Sequence, residues 1–234
     1  MLLETVNLKR IYKTGSRTVT AVQNINLNIQ NGEFVAVIGH SGSGKSTLLN
    51  LLAGLLIPSE GKVVLDGQDI YRLNDKELSY LKNSKIGYIP QGKSVLNNLT
   101  VLDNVLLPYD IYLNCKDCVL KARELLEKVG LENLADAYPN SLSGGELRRV
   151  AIARALINNP EIIFADEPTS DLDTKNAELV IALLRKIVDN GTSVILVTHE
   201  LDTIGSADEV YTLSEGTLSK TSKNKVIGAH FNIN

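Results

Sequence analysis

Basic residues are in slight deficit in this chain. Lys and Arg number 24 against 27 Asp and Glu, a formal net charge of −3, so no electrostatic argument favours nucleic acid as the main partner. Long apolar runs are missing. The longest, around Leu51 to Ile57, is broken by Gly54 and stopped by Pro58, well short of the ~20 residues a membrane-spanning helix needs. Residues Met1 to Arg10 lack a signal peptide's basic start followed by a long apolar stretch. These absences predict a cytoplasmic address, with any membrane role passing through a partner. Cysteine is confined to Cys115 and Cys118 in a C-x-x-C spacing. A redox pair would open a helix directly after a strand, and a zinc site would need two further ligands nearby. Neither context is offered, so the pair is read as two reduced thiols where a helix begins. No internal repeat or low-complexity tract occurs. With 44% hydrophobic and 22% charged residues, the 234-residue composition is that of a soluble globular protein with ample core.

What stands out is Gly39-His40-Ser41-Gly42-Ser43-Gly44-Lys45-Ser46-Thr47. Two glycines with four residues between them, followed by Lys and Ser, form a phosphate-binding loop. Glycines 39, 42 and 44 are expected to turn the backbone through positive φ, leaving no Cβ between converging amides and phosphate oxygens. Phe34-Val35-Ala36-Val37-Ile38 leads in as a strand buried on both faces, and Leu48 to Ala53 leads out as a helix aiming its positive end at the anion. Lys45 then supplies a point charge to the β and γ phosphates, and the Ser46 hydroxyl a ligand for Mg²⁺. The alternative, a Gly/Ser turn before a helix, does not require this flanking.

Elsewhere, residues 2–8 and 19–29 read as strands, with Asn31-Gly32 as a hairpin turn into the Phe34 strand. Between the early strands lies Tyr12, which either stacks on a base or is a packed surface tyrosine. Residues 61–67 and 86–89 are expected strands, the latter ending at Pro90-Gln91, and 75–83 a helix. From Gly92 to Asn159 the pattern is helical, notably 119–129 and 147–157, suggesting a helical block inserted between two strands of a parallel sheet. Strands follow at 162–165 and 193–198, a helix capped by Asp173 runs between them, and a hairpin spans 210–218. The tail from Ser219 reads as polar and frayed, and His230 in it carries no signal.

Three further groups bear chemistry. Ser143-Gly144-Gly145-Glu146 spells a capping box; it could be only a helix start, but the paired glycines are not needed for capping and suit close approach of an anion. Ile162 to Ala165 followed by Asp166-Glu167 places paired acids at a strand tip, the first suited to hold Mg²⁺, the second to orient or deprotonate water. Alone, such a pair is as well read as a turn. His199 lies at the C-terminal tip of the next strand, the sheet edge where ligands bind in open α/β folds.

In this order, phosphate loop, Gln91, Leu142 to Glu146, Asp166-Glu167-Pro168-Thr169, Ser170 to Asp173 and His199, the chain resembles the nucleotide-binding subunit of ATP-binding cassette (ABC) transporters over residues 2 to about 218. Leu99 to Pro108 and the Ala165 to Thr169 run are similar to the MacB, LolD and FtsE branch, whose ATPases serve permeases of few membrane spans in lipoprotein, peptide or drug export or in force transmission. The resemblance implies an α/β P-loop NTPase: a mostly parallel RecA-like core sheet, an N-terminal antiparallel β subdomain and an inserted helical subdomain. Residues 1–234 would form one ABC ATPase domain, with 1–91 and 160–218 as catalytic core, 92–159 helical and 219–234 a polar tail.

The resemblance also implies roles. ATP and Mg²⁺ are the expected ligands, with Tyr12 stacking on adenine and Gly39 to Thr47, His40 and Ser41 included, holding the phosphates. Ser46, Gln91 and Asp166 serve the metal. Glu167 is the general base, His199 the γ-phosphate sensor, and Gln91 the link between the metal and the permease; Lys45 completes the catalytic set. Ser143, Gly144 and Gly145 would grip ATP held by a second copy, head to tail, with Asp173 at the shared interface. The expected partners are that copy and a transmembrane permease that docks the protein on the inner face of the cell membrane. A soluble ABC ATPase without transport, as in iron–sulfur assembly, is the alternative. Departures from the family pattern are His40, Glu146 where Gln is usual, and Gly92-Lys93-Ser94, which lacks an aromatic.

Overall fold

The structure is a computed structural model that describes residues 1–15, 17–92, 94–110 and 117–223. Cys115, His230 and Lys93 lie outside the described residues. Two sheets and six α-helices are present among the described residues.

The first sheet is antiparallel, from β1 (Leu3–Thr14), β2 (Arg17–Ile25), β3 (Asn28–Ile29), β5 (Glu60–Leu65) and β6 (Gln68–Asp69), in the order β2-β1-β5-β6 with β3 on β1. β1 is longer than the sequence suggests, and Tyr12 lies within it rather than between strands, paired with Val19 of β2. The span expected as one strand at 19–29 is split between β2 and β3.

The second sheet holds β4 (Phe34–Ile38), β7 (Ile86–Ile89), β8 (Ile162–Asp166), β9 (Ser193–Thr198), β10 (Glu209–Ser214) and β11 (Thr217–Lys220). Its order is β11-β10-β4-β9-β8-β7, every pair parallel except β10 with β11. Asn31-Gly32 is therefore not a hairpin. It carries the chain from β3 in one sheet to β4 in the other, because a strand apolar on both faces must be buried on both. Val35 and Val37 pack toward the antiparallel sheet, and Phe34, Ala36 and Ile38 toward the opposite face. Ser219 and Lys220, expected in a frayed tail, belong to β11, and Lys220 pairs with Glu209 at 2.7 Å.

Helices α1 (Lys45–Leu52), α2 (Asp75–Lys85), α3 (Val101–Asp110), α4 (Cys118–Lys128), α5 (Gly144–Leu156) and α6 (Thr174–Asp189) complete the fold. α1 fills the space between the sheets with Leu48, Leu49, Leu51 and Leu52, all buried. α6 covers the other face with Val180, Leu184 and Val188. Between β7 and β8, α3, α4 and α5 surround their own core of Val101, Val105, Leu126, Val150 and Ala153. Asn104 is fully buried there and satisfied: Nδ2 donates to the carbonyls of Leu96, Leu99 and Thr100, and Oδ1 accepts from Leu96 N. That fastens the irregular run before α3 to the helix itself, as a buried amide must find partners. Among the described residues no helix is long and apolar enough to cross a membrane.

Candidate active site

β7, β8, β9 and β4 lie side by side, and all four deliver functional residues at their C-terminal ends, where parallel strands in such sheets present ligand sites. Gln91 follows β7, Asp166 ends β8 with Glu167 next, His199 follows β9, and the Gly39 loop follows β4. Between them opens a cavity of about 710 Å³ lined by Ala21, His40, Ser41, Gly42, Gly44, Lys45, Ser46, Thr47, Gln91, Glu167 and His199.

The loop that leads into α1 is shaped partly as the sequence suggests. Gly42 and Gly44 take φ of 78° and 104°. Gly39 does not; its backbone is ordinary, and glycine is required there because a Cβ would overlap the Leu213 carbonyl and lie 2.7 Å from Ser43 Oγ. Gly44 is doubly constrained, since a Cβ would also strike the Ala21 carbonyl of β2. The antiparallel sheet thus presses on the loop from behind, while Gly42 faces open space where a phosphate would come. Ser43 Oγ is buried without a hydrogen-bond partner among the described residues, a donor left over in a loop built to receive an anion.

Lys45 is 5% exposed, and its Nζ donates to Gly39 O at 2.8 Å and His40 O at 3.1 Å. It also lies 3.7 Å from Glu167 Oε1. Glu167 is the hub of the cavity. Gln91 Nε2 donates to its Oε2 at 2.8 Å, and His199 Nδ1 is 3.1 Å from its Oε1. Its φ of 45° lies in the left-handed region, a local strain that turns the carboxylate into the site and fits a functional position.

Beside it Ser46 Oγ donates to Asp166 Oδ1 at 3.1 Å. Burial, together with the neighbouring Glu167 charge, raises the Asp166 carboxyl above its ordinary range, only partly offset by Ser46 and Lys45. Two acids, one buried, with an adjacent hydroxyl and an amide make a set of hard oxygen donors that fits Mg²⁺. Among the described residues no three His, Cys, Asp or Glu side chains are grouped to hold a metal by themselves.

Tyr12 stands at the rim, 38% exposed, its hydroxyl 3.5 Å from Thr47 Oγ1 and the Arg10 guanidinium 4.8 Å from its ring centre. Ser143, Gly144 and Gly145 are not in this cavity. They open α5 elsewhere on the chain, where Gly144 lines a separate cavity of about 200 Å³ with Gly92, Arg148 and Asp171. The two glycines there differ. A Cβ on Gly145 would strike Asn176 of α6, whereas one on Gly144 would meet only Leu172 Cδ2 at 3.6 Å, an ordinary contact. Gly145 thus has a packing reason, and Gly144 is the bare one.

The capping box is complete. Ser143 N and Oγ each donate to Glu146 Oε2 at 2.7 Å, and Glu146 N donates back to Ser143 Oγ at 3.3 Å. The Ser143 hydroxyl and amide hold the Glu146 carboxyl below its usual range. A carboxyl lowered in the folded state adds stability that is present above its unfolded pKa and lost as pH falls through the folded one. Glu146→Gln is thus expected to be less stable at pH 7 by about 0.3–1 kcal/mol, the worth of an anion in a first helical turn. Melting curves of both proteins should converge as pH falls below 4.5, and a gap unchanged by acid would refute the role.

Several neighbours of the site were not legible from motifs. Ala21 carries no chemistry, and its part in the cavity depends on how two sheets meet. Glu200 accepts from Thr169 Oγ1 at 2.5 Å, tying the run after His199 to the run after Glu167. Its position next to His199 was the only available signal.

Residues 22–170 match the ABC transporter family. The chain is 42% identical over 217 residues to the macrolide export ATP-binding/permease protein MacB of Chlorobaculum tepidum, covering 93% of this chain and 33% of that protein. It thus spans about a third of that relative's length. It is 41% identical over 222 residues to the lipoprotein-releasing system ATP-binding protein LolD of Wigglesworthia glossinidia brevipalpis, covering 94% of this chain and 97% of that one. Among solved structures, an ATP-binding cassette seen as a dimer in a post-hydrolysis state with ADP and Pi superposes with a TM-score of 0.86 at 39% identity, over 94% of this chain and 98% of that chain. Phosphate loop, paired acids, glutamine and histidine around one cavity agree with these likenesses: the chain belongs to the ABC transporter family, as an ATPase cassette of the MacB and LolD type.

Proposed function

We propose that two copies of this chain close head to tail around two ATP molecules and, by hydrolysing them, drive a separate membrane permease of the MacB or LolD kind. The observation that carries this reading is the separation of the two halves of the site. The cavity at Gly39 to Thr47 holds Lys45, Glu167, Gln91 and His199, while the bare helix start at Ser143 and Gly144 lies outside it. The Glu146 carboxylate occupies Ser143 N and Oγ at this helix N-terminus, while the uncovered Gly144 amide is left to face a second chain's γ-phosphate.

In this reading residues 1–91 and 160–218 form the catalytic core and 92–159 the helical part that carries the clamp, followed by a polar tail at 219–234. Tyr12 stacks on the adenine. Lys45, now turned toward Gly39 O and His40 O, swings its charge onto the β and γ phosphates. Ser46, Asp166 and Gln91 would hold Mg²⁺, which supplies charge neutralisation across the phosphates. Glu167 takes the proton of the attacking water, His199 steadies Glu167 and senses the γ-phosphate, and Gln91 relays the state of the site toward the permease. Gln91 and His199 hold the two oxygens of Glu167, and its 3.7 Å contact with Lys45 is the one the phosphates would replace.

The docked position, on the inner face of the cell membrane, follows from the permease. The cargo class is that of the branch: lipoproteins, peptides or drugs, or force in place of cargo. The test is ATP turnover by the purified chain alone, with EDTA, and in liposomes with a candidate permease of the MacB or LolD kind. Turnover should fall to background on chelation and rise with the permease. Turnover indifferent to both would overturn the reading.

A further inference from the structure

α5 does more than present the clamp. Two arginines on it, Arg148 buried and Arg154 half-buried, have no carboxylate in ion-pair contact among the described residues. Arg148 is 6% exposed, and its Nη1 donates to Pro90 O at 2.8 Å. Arg154 donates from Nη1 to Ser94 O at 2.9 Å and from Nη2 to Ser94 Oγ at 3.0 Å. Desolvation holds both guanidinium groups below their ordinary pKa, and Asp171 acts on Arg148 in the opposite sense through its charge alone. Buried cations are retained where they make charge-assisted hydrogen bonds that nothing neutral replaces.

The acceptors lie on either side of Gln91: Pro90 directly before it and Ser94 three residues after. The loop that carries Gln91 is therefore gripped at both ends by the helix whose first turn is Gly144 to Glu146. Arg148 also faces the small cavity shared by Gly92, Gly144 and Asp171, where the loop, the clamp and the run after the paired acids meet. A displacement of the start of α5 by a partner's ATP would pull on Pro90, and Gln91 Nε2 is 2.8 Å from Glu167 Oε2. The bond from Arg148 goes to a backbone carbonyl and so transmits such a pull without depending on a loop side chain.

We propose that Arg148 is a positioning residue for hydrolysis: through Pro90 O it couples the Ser143 to Gly145 clamp to Gln91, and so sets where Gln91 holds Glu167. Arg154 is the second anchor of the same yoke. The inference rests on the proposed role of Gln91.

The experiment compares steady-state turnover of the full-length chain with Arg148→Met, which keeps the stem and removes the donors, Arg148→Lys, Gln91→Ala and the double variant Arg148→Met with Gln91→Ala. Arg148→Met is expected to lower kcat by roughly ten- to a hundredfold, the worth of a hydrogen bond to a charged group. KM for ATP should change less than about twofold, since ground-state binding is untouched. Arg148→Lys, which keeps the charge and can reach one carbonyl, should restore most of kcat. Added to Gln91→Ala, the Met substitution should lower kcat no further, because both act on one path. Full kcat in Arg148→Met, a loss confined to KM, failure of Lys to rescue, or additive losses in the double variant would each overturn the coupling. An undiminished rate in Gln91→Ala alone would instead overturn the reading of Gln91 on which it stands.

Discussion

Glu167→Gln will bind ATP as the parent does and turn it over on the order of 10²- to 10⁴-fold more slowly, the usual worth of a general base. The amide keeps the size of the side chain, so the contacts with Gln91 Nε2 at 2.8 Å and His199 Nδ1 at 3.1 Å have an isosteric partner. What it loses is the capacity to accept water's proton. The substitution should not weaken the fold either. Glu167's charge is one of the causes that raise the buried Asp166 carboxyl, and removing it relieves that like-charge contact, which offsets the loss of the Lys45 contact at 3.7 Å. The expected signature is an unchanged or slightly higher Tm, ATP retained without hydrolysis, and accumulation of an ATP-bound dimer. Binding is read with a fluorescent nucleotide, turnover by phosphate release, and association by light scattering. Undiminished turnover would remove Glu167 from its assigned role and leave a water positioned by His199 as the remaining route.

The same hub shows why much of the site could be read from the chain. Strand, loop and helix around Gly39 to Thr47 are local, and their chemistry is written in consecutive residues. So are the apolar run Ile162 to Ala165 and its two acids, because parallel strands buried on both faces have no polar alternation to confuse them. What escaped was whatever depends on two distant segments meeting. Gly39 has an ordinary φ and is needed because the Leu213 carbonyl lies against it, a contact from a strand some 170 residues away that no local rule predicts. Asn31-Gly32 has the sequence of a hairpin turn, yet joins two sheets, since turn chemistry fixes a reversal and not the partner of the strand that follows. Arg148 and Arg154 sit in a helical pattern that places charges at intervals, where a solvated face is the ordinary reading. The burial of Arg148 and the partial cover of Arg154 come with their hydrogen bonds to Pro90 and Ser94 of the run after β7. Gly145 resembled Gly144 until Asn176 of α6 was seen against it.

That last difference isolates the clamp from the fold. Gly144→Asp puts a carboxylate at the first position of α5, where among the described residues a Cβ meets Leu172 Cδ2 at an ordinary 3.6 Å and where an acid favours the helix dipole. The melting temperature should stay level or rise slightly. A partner's γ-phosphate arriving at the same amides, however, would meet a like charge. Two unit charges about 4 Å apart near a protein surface repel by roughly 4 kcal/mol, which is on the order of 10³-fold in association for each of the two clamps in the dimer. ATP-driven dimerisation and turnover should be lost together in a well-folded chain. Because the clamp serves the other copy's nucleotide, mixing this variant with Lys45→Ala should recover activity that neither has. In the mixed dimer one site joins the damaged loop to the damaged clamp, and the other joins the intact loop to the intact clamp. Random pairing of symmetric dimers then gives roughly a quarter of the parent rate if the sites act independently. A clamp acting on its own chain's ATP predicts no recovery at any ratio, so the mixture decides between the two geometries even though each variant alone is inactive under both.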